Sequence, residues 1–382
     1  MKFINFVLRQ KELLQLFHLG KDVDLKESSV EIRYFNFDSG YNFESGSVKA
    51  DYSSNDVAIN ENRHFSYPVF FPKGCKKTSN VILMLHGLNE RNWDKYLCWA
   101  EYLAKNTGKP VMLFPIAFHI NRAPMQWSDP RTMSVLVKKR QIEVGENRSL
   151  CFANVALSER LTENPARFYT SGRQTIYDLT DLARQIKRGE HPLFASDTTI
   201  DFFAYSIGAF LSEIALMVNP EKLFDDSKLF IFCGGSIFRY MFGESRCIMD
   251  KPAYERLLNF YCTEWLSSQR TMDYSEKQKS DLTLNAFNAM IAPEIYKEKR
   301  EGFFASLGNR LAGISLKKDT VMPYSGVEAC MGQDTATKRF SLVDFPFDYT
   351  HESPFPTSGR ILPELLNISF NSIFSKAAQF LR

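Results

Sequence analysis

No stretch of this sequence approaches 18 uninterrupted apolar residues, so a transmembrane helix is not expected. No C-x-x-C pair occurs. The seven cysteines (75, 98, 151, 233, 247, 262 and 330) are odd in number and lie mostly in apolar stretches. A disulfide framework and a zinc site are therefore disfavoured, and buried free thiols in a reducing compartment are expected. Neither sign of charge dominates. The 47 basic and 44 acidic residues leave a net +3, too balanced for an electrostatic nucleic-acid binder. The one compact basic run, Lys138-Lys139-Arg140, reads as a solvated helix face. A phosphate-cradling glycine-rich loop and an H-E-x-x-H motif are both missing, and neither a metal nor an organic cofactor is expected. Internal repeats and low-complexity segments are also missing. In the opening "MKFINFVLRQKELLQLFHLG", Arg9 and Lys11 break the apolar run too early for a signal peptide, and no small-residue cleavage site follows. A cytoplasmic protein is expected, without an integral membrane segment.

What is present is a globular composition, 44% apolar and 24% charged, with 33 Phe that suit a wide core or an apolar cleft. The 382 residues suffice for one large α/β domain with insertions or for two ordinary domains. "VEIRYFNF" and "HFSYPVFF" alternate and are bounded by turn residues, as antiparallel edge strands are. From "VILMLHG" (81–87) the pattern changes to continuous apolar runs, as expected of strands buried on both faces. Further runs follow at 110–118, 198–206, 227–235, 310–316 and 339–347. Amphipathic helical patterns separate several of them, and one over about 362–381 closes the chain. Strands alternating with helices imply right-handed crossovers and a mainly parallel sheet with helices on both faces. Two connections exceed a simple crossover. Residues 119–170 read as an extra insertion, and residues 243–305 as a helical cap lacking strand character. With residues 1–30 as an N-terminal helical leader, the core is assigned to 31–242 and 306–382.

The informative stretch is "DFFAYSIGAF", beginning at Asp201, where a buried strand ends at Ser206 and a helix starts at once. A serine two residues before a glycine is weak by itself; Ser306 in "FASLG" is another. Ser306, however, has Phe304 two residues before it and no buried strand leading in, whereas Ser206 is flanked by Ala204 and Gly208. A nucleophile on a strained strand-to-helix elbow needs small residues at ±2, and the helix N-terminus directs unpaired N–H groups towards its oxygen.

The order strand, serine elbow, helix, with a His-Gly turn upstream, resembles the α/β-hydrolase superfamily of serine hydrolases over about 65–242 and 306–382. Ala204 stands where the family's G-x-S-x-G has its first Gly. The resemblance implies the chain order nucleophile, acid, histidine. Only one histidine follows Ser206, His351 in "DFPFDYTHESPFP", in a loop after the last strand. Asp319, in the loop after "RLAGISL", resembles the family's acid; Glu244, Asp250 and Asp334 are the alternatives. Backbone N–H groups of Ile207, after the nucleophile, and of Leu88, by the family pattern, are the expected oxyanion donors. His86 is read as a brace for that turn. His119, Arg122 and Tyr205 are candidate substrate contacts. The resemblance implies an ester-like small-molecule acyl substrate, and carboxylesterase, lipase, thioesterase, amidase and deacetylase activities all fit the same triad. An acyltransferase with the same triad and a non-catalytic binding protein are the alternatives. No sequence feature points to an oligomeric state.

Overall fold

Alternate residues of the central strands enter opposite apolar clusters. Val81, Leu83 and Leu85 join one, with Phe202 and Ala204; Ile82 and Met84 join the other, with Phe203 and Tyr205. A strand buried on both faces needs apolar residues at every position, which is what the continuous runs supply. The structure is a computed structural model that describes residues 3–42, 54–267, 280–357 and 359–382.

The strands are β1 (Val23–Asp24), β2 (Val30–Asp38), β3 (His64–Pro72), β4 (Thr78–Leu85), β5 (Val111–Leu113), β6 (Phe194–Tyr205), β7 (Leu229–Phe232), β8 (Leu311–Leu316) and β9 (Phe340–Val343). They form one sheet in the order β1-β2-β3-β5-β4-β6-β7-β8-β9. The β1–β2, β2–β3 and β3–β5 pairs are antiparallel, and every pair from β5 through β9 is parallel. This strand order, with helices on both faces, is the α/β-hydrolase fold.

One face carries α1 (Phe6–Leu16), α2 (Leu97–Thr107) and, at the end of the chain, a helix over Pro363–Leu381. The N-terminal helix is tied to the core: Ile4 and Val7 N–H donate to Asn371 and Asn367 Oδ1, and Arg9 pairs with the nearly buried Glu101 at 2.6 Å. The opposite face carries α4 (Val155–Glu163), α5 (Arg167–Lys187) and α6 (Ile207–Val218), and α3 (Pro130–Val144) packs on α4 in a separate small cluster. The predicted stripe Ile176, Leu179, Leu182 and Ile186 of α5 is buried on that face. Over 243–305 lie α7 (Lys251–Asn259), a π-helical turn (Phe260–Trp265), α8 (Leu282–Ala289) and α9 (Lys297–Leu307). Residues 268–279 of that connection lie outside the described residues. No helix of the described residues is long and apolar enough to cross a membrane.

Several expectations need correction. The strand expected over 110–118 pairs only at Val111–Leu113. Pro115 has no N–H for a ladder, and the positive φ of Phe118 (66°) and Ile120 (50°) turns the chain away. Arg140 is not solvated like its neighbours Lys138 and Lys139: it is 1% exposed and ion-paired with Asp250. The helix period places it on the inner face of α3, one residue beyond the exposed lysines. Buried thiols are found only at Cys98, Cys233 and Cys330, whereas Cys75 and Cys247 are exposed.

Candidate active site

β6 ends at Tyr205 and α6 starts at Ile207, so Ser206 must turn the chain within one residue. It does so at φ 57°, ψ −125°, a conformation that costs on the order of 1–3 kcal/mol for a non-glycine residue. Close packing holds it there. A Cβ at Gly208 would lie 2.6 Å from the Leu85 carbonyl oxygen and 2.8 Å from that of His86, so only glycine lets the elbow approach the end of β4. Ser206 N–H donates to Cys233 O at 3.1 Å, tying the elbow to β7 as well.

His351 reaches Ser206 from the loop after β9. Its Nε2 lies 2.7 Å from Ser206 Oγ, and its Nδ1 lies 2.8 Å from Asp319 Oδ2. Asp319 stands in the turn after β8, and its other oxygen, Oδ1, accepts the N–H groups of Val321 (2.9 Å) and Met322 (2.8 Å). All three side chains are nearly buried: Ser206 and His351 are 3% exposed and Asp319 is 4%. Aromatic packing fixes the histidine loop, for Phe345, Phe347, Tyr349 and Phe355 pack on the face that carries α1 and α2. Phe355 touches Trp99, Phe232 and Phe374, so part of the Phe excess is the wall beneath this loop.

The turn after β4 is braced from three sides. His86 Nδ1–H donates to Gly87 O (2.8 Å), and His86 Nε2 accepts the N–H of Ile116 (2.9 Å). Burial holds its pKa well below the ordinary value, and with both nitrogens engaged His86 is a neutral brace. Gly87 N–H donates to Tyr96 Oη, which donates in turn to Glu90. Neither the Leu88 N–H in this turn nor the Ile207 N–H at the start of α6 has an acceptor among the described residues.

Two spaces meet at this point. A smaller apolar pocket, about 470 Å³ including its open mouth, is lined by Ser206, Ile207, Leu88, Met241, Met249 and Leu257. A larger open cleft of about 1100 Å³ shares Leu88, Phe168 and Ile207 with it. Much of the first is contributed by 238–258, and much of the second by 116–173.

The structure thus brings Ser206, His351, Asp319, Leu88 and Ile207 together, but it separates the candidate substrate contacts. Arg122 is fully buried and absent from both spaces. It donates to Asn62 Oδ1, Asn62 O, Pro115 O and Asp178 Oδ2 (2.7 Å), with its guanidinium 4.2 Å from the Phe65 ring centroid. Tyr205 alternates to the face opposite the cleft. It stacks on the His351 ring at 5.4 Å and donates its hydroxyl to the His351 carbonyl. His119 lines the larger cleft. Of the alternative acids, Asp250 caps α7 and pairs with Arg140, while Glu244 accepts from Ser149 Oγ at 3.2 Å. The Tyr205 bond to the His351 carbonyl had no signal in the sequence, because it joins residues 146 positions apart; the Tyr96–Glu90 brace is local but belongs to no periodic pattern.

A hydroxyl on one imidazole nitrogen, a carboxyl group on the other, and two N–H groups without acceptors in the adjoining turns are the groups that acyl transfer through a serine ester requires. The family model described as "Family of unknown function (DUF6051)" matches residues 4–382. No curated protein matches the chain. Among solved structures, a bacterial heroin esterase is 11% identical, aligned over 94% of this chain and 87% of that one, with TM-score 0.48. Carboxyl esterase 2 of the mycorrhizal fungus Tuber melanosporum is 8% identical over 100% and 99%, with TM-score 0.47. An esterase of Pyrobaculum calidifontis is 10% identical over 98% and 90%, with TM-score 0.45. The fold assignment rests on the strand order of the sheet itself.

Proposed function

The chain belongs to DUF6051, a family described as of unknown function, and from the geometry of the site we propose that it is a serine hydrolase acting on ester-like acyl bonds. The observation that carries this reading is the hydrogen-bonded chain from Ser206 Oγ through His351 to Asp319, with the serine held at φ 57°. In the proposed mechanism Ser206 Oγ attacks the substrate carbonyl carbon as His351 Nε2 takes its proton. Asp319 holds the Nδ1–H and stabilises the imidazolium. The N–H groups of Ile207 and Leu88 receive the negative charge that develops on the carbonyl oxygen. His351 then protonates the leaving group, and the acyl-enzyme on Ser206 forms. A water activated by His351 hydrolyses it and restores the serine. Residues 243–305 act as the cap, and the apolar lining they supply supports a substrate with an apolar group beside the reacting carbonyl.

The test is covalent labelling with a fluorophosphonate, followed by peptide mapping. An adduct on Ser206, absent from Ser206→Ala and much slowed in His351→Ala, is the expected result. Failure of the folded protein to label, both intact and with 243–305 removed, would overturn the reading in favour of a binding protein on this fold.

A further inference from the structure

His119 lines the larger cleft, and its outer ring nitrogen, covered at the cleft wall, is a hydrogen-bond acceptor with nothing to accept. His119 is 7% exposed, and its Nδ1–H donates to Ala117 O at 2.9 Å. Its Nε2 therefore carries a lone pair, and that atom has no partner among the described residues. Burial pushes the His119 pKa down to about 4, which leaves the ring neutral near pH 7 and preserves the acceptor. A buried acceptor without a donor is unfavourable, and a ligand that supplies the donor removes the penalty. A neutral imidazole nitrogen cannot pair with a carbonyl, an ether oxygen or a carboxylate, so the complementary group is an O–H or N–H.

The walls define what should carry that donor. Phe118, Trp127, Phe168, Tyr169, Phe210 and Phe287 line the cleft, and aromatic edges and faces suit a flat ring. Most cationic groups there are already neutralised. Arg160 and Arg167 both pair with Asp56, and Arg173 pairs with Asp281. Arg91 donates to the Phe152 carbonyl. The His119 ring lies 5.4 Å from that of His86, and the cleft it lines shares Leu88 and Ile207 with the pocket at Ser206.

We propose that the larger cleft receives a hydroxyaryl flank of the substrate, its phenolic O–H donating to His119 Nε2. This rests on the serine-hydrolase reading for the meaning of "flank", but the binding itself does not. His119 is a specificity residue in this account, and the substrate class is an ester bearing a neutral hydroxylated aromatic ring.

Two ester series test it, one with the ring on the acyl side (ethyl 4-hydroxyphenylacetate) and one with it on the alcohol side (4-hydroxybenzyl acetate). Each is compared with its 4-methoxy and 4-carboxy analogues. In parallel, binding of 4-hydroxyphenylacetamide and its 4-methoxy analogue to Ser206→Ala is measured by calorimetry. In at least one series kcat/KM should favour hydroxy over methoxy by roughly 10- to 100-fold. That ratio should collapse to within about 2-fold in His119→Phe and partly return in His119→Gln, whose carbonyl oxygen accepts. The hydroxy amide should bind Ser206→Ala more tightly than the methoxy amide. Equal turnover of hydroxy and methoxy esters, a preference that survives in folded His119→Phe, or best turnover of the carboxy esters would overturn the proposal. If no ester is cleaved but the hydroxy amide binds Ser206→Ala more tightly than the methoxy amide, and Ser206→Ala/His119→Phe binds the two alike, the cleft assignment stands and the hydrolase reading falls. If no ester is cleaved and the amides bind alike or not at all, both fall.

Discussion

Asp319 gives His351 one carboxylate oxygen, at 2.8 Å from Nδ1, and gives the other to the backbone N–H groups of Val321 and Met322. The two oxygens have different work, and the first prediction separates them. In Asp319→Asn the Oδ1 can keep its two backbone donors while the amide nitrogen donates to His351 Nδ1. The ring proton is then forced onto Nε2, the atom that must accept from Ser206. Esterase kcat should fall roughly a thousand- to ten-thousand-fold, with the unfolding midpoint little changed. Steady-state kinetics and urea titration of the same preparation check it, and undiminished activity would remove Asp319 from the mechanism.

Glu213 lies in the middle of α6, fully buried, with neither carboxylate oxygen partnered among the described residues. Burial raises its pKa well above 4.5, so the folded chain holds this proton to higher pH than the unfolded chain does. Stability from this group is full below 4.5 and is lost as pH rises. Glu213→Met should stabilise the protein by about 1–3 kcal/mol at pH 7. The gain should grow by about 1.4 kcal/mol per pH unit over the range where only the unfolded glutamate is ionised. Urea unfolding from pH 5 to 8 measures this, and a variant less stable than wild type would indicate a partner for the acid.

Two buried histidines act at the other end of the scale. Burial pushes both His119 and His191 down to about 4, against an ordinary value of 6.5. The unfolded chain binds their protons first, so their contribution is complete above 6.5 and declines as pH falls towards 4. Each should contribute about 3 kcal/mol less at pH 4 than at pH 7, and His86, also depressed by burial, adds in the same direction. The His119→Phe/His191→Phe double variant should flatten the acid limb of the stability profile, as urea midpoints at pH 7, 5.5 and 4 will register. An unchanged limb would assign acid unfolding to other groups.

Arg140 and Asp250 join α3 of one long connection to the start of α7 of the other, both buried. Removing one partner strands the other charge. Arg140→Met should cost about 3–5 kcal/mol and expose the 243–258 segment to limited proteolysis. Adding Asp250→Asn should recover part of that, because Asn still caps α7. Wild-type stability of Arg140→Met would mean that the two connections are held by other contacts.

The strand runs and the elbow could be read from sequence because each is local, whereas the order Ser206, Asp319, His351 was implied by the resemblance to the α/β-hydrolase superfamily. Val81 to Leu85 and Phe202 to Tyr205 are apolar at every position for a reason that one strand reveals. Arg140 could not be read in this way: a basic triplet looks solvated until the helix phase and a carboxylate 110 residues away are known. Arg122 likewise looked like a loop residue open to substrate, yet its partners Asn62 and Asp178 come from two other segments. Pairings across the chain leave no periodic trace, and the contacts between the two long connections are made of them.

Tyr205 and Ser206 are consecutive, and the hydroxyl of the first holds the backbone of the residue whose ring meets the second. The His351 ring and the Ser206 hydroxyl are therefore referenced to the same end of one strand. A displacement of β6 carries both along, and their separation changes only by the difference between two nearly equal movements. Movement of the surrounding helices would leave the 2.7 Å contact in place, as two instruments bolted to one bench keep alignment when the bench moves.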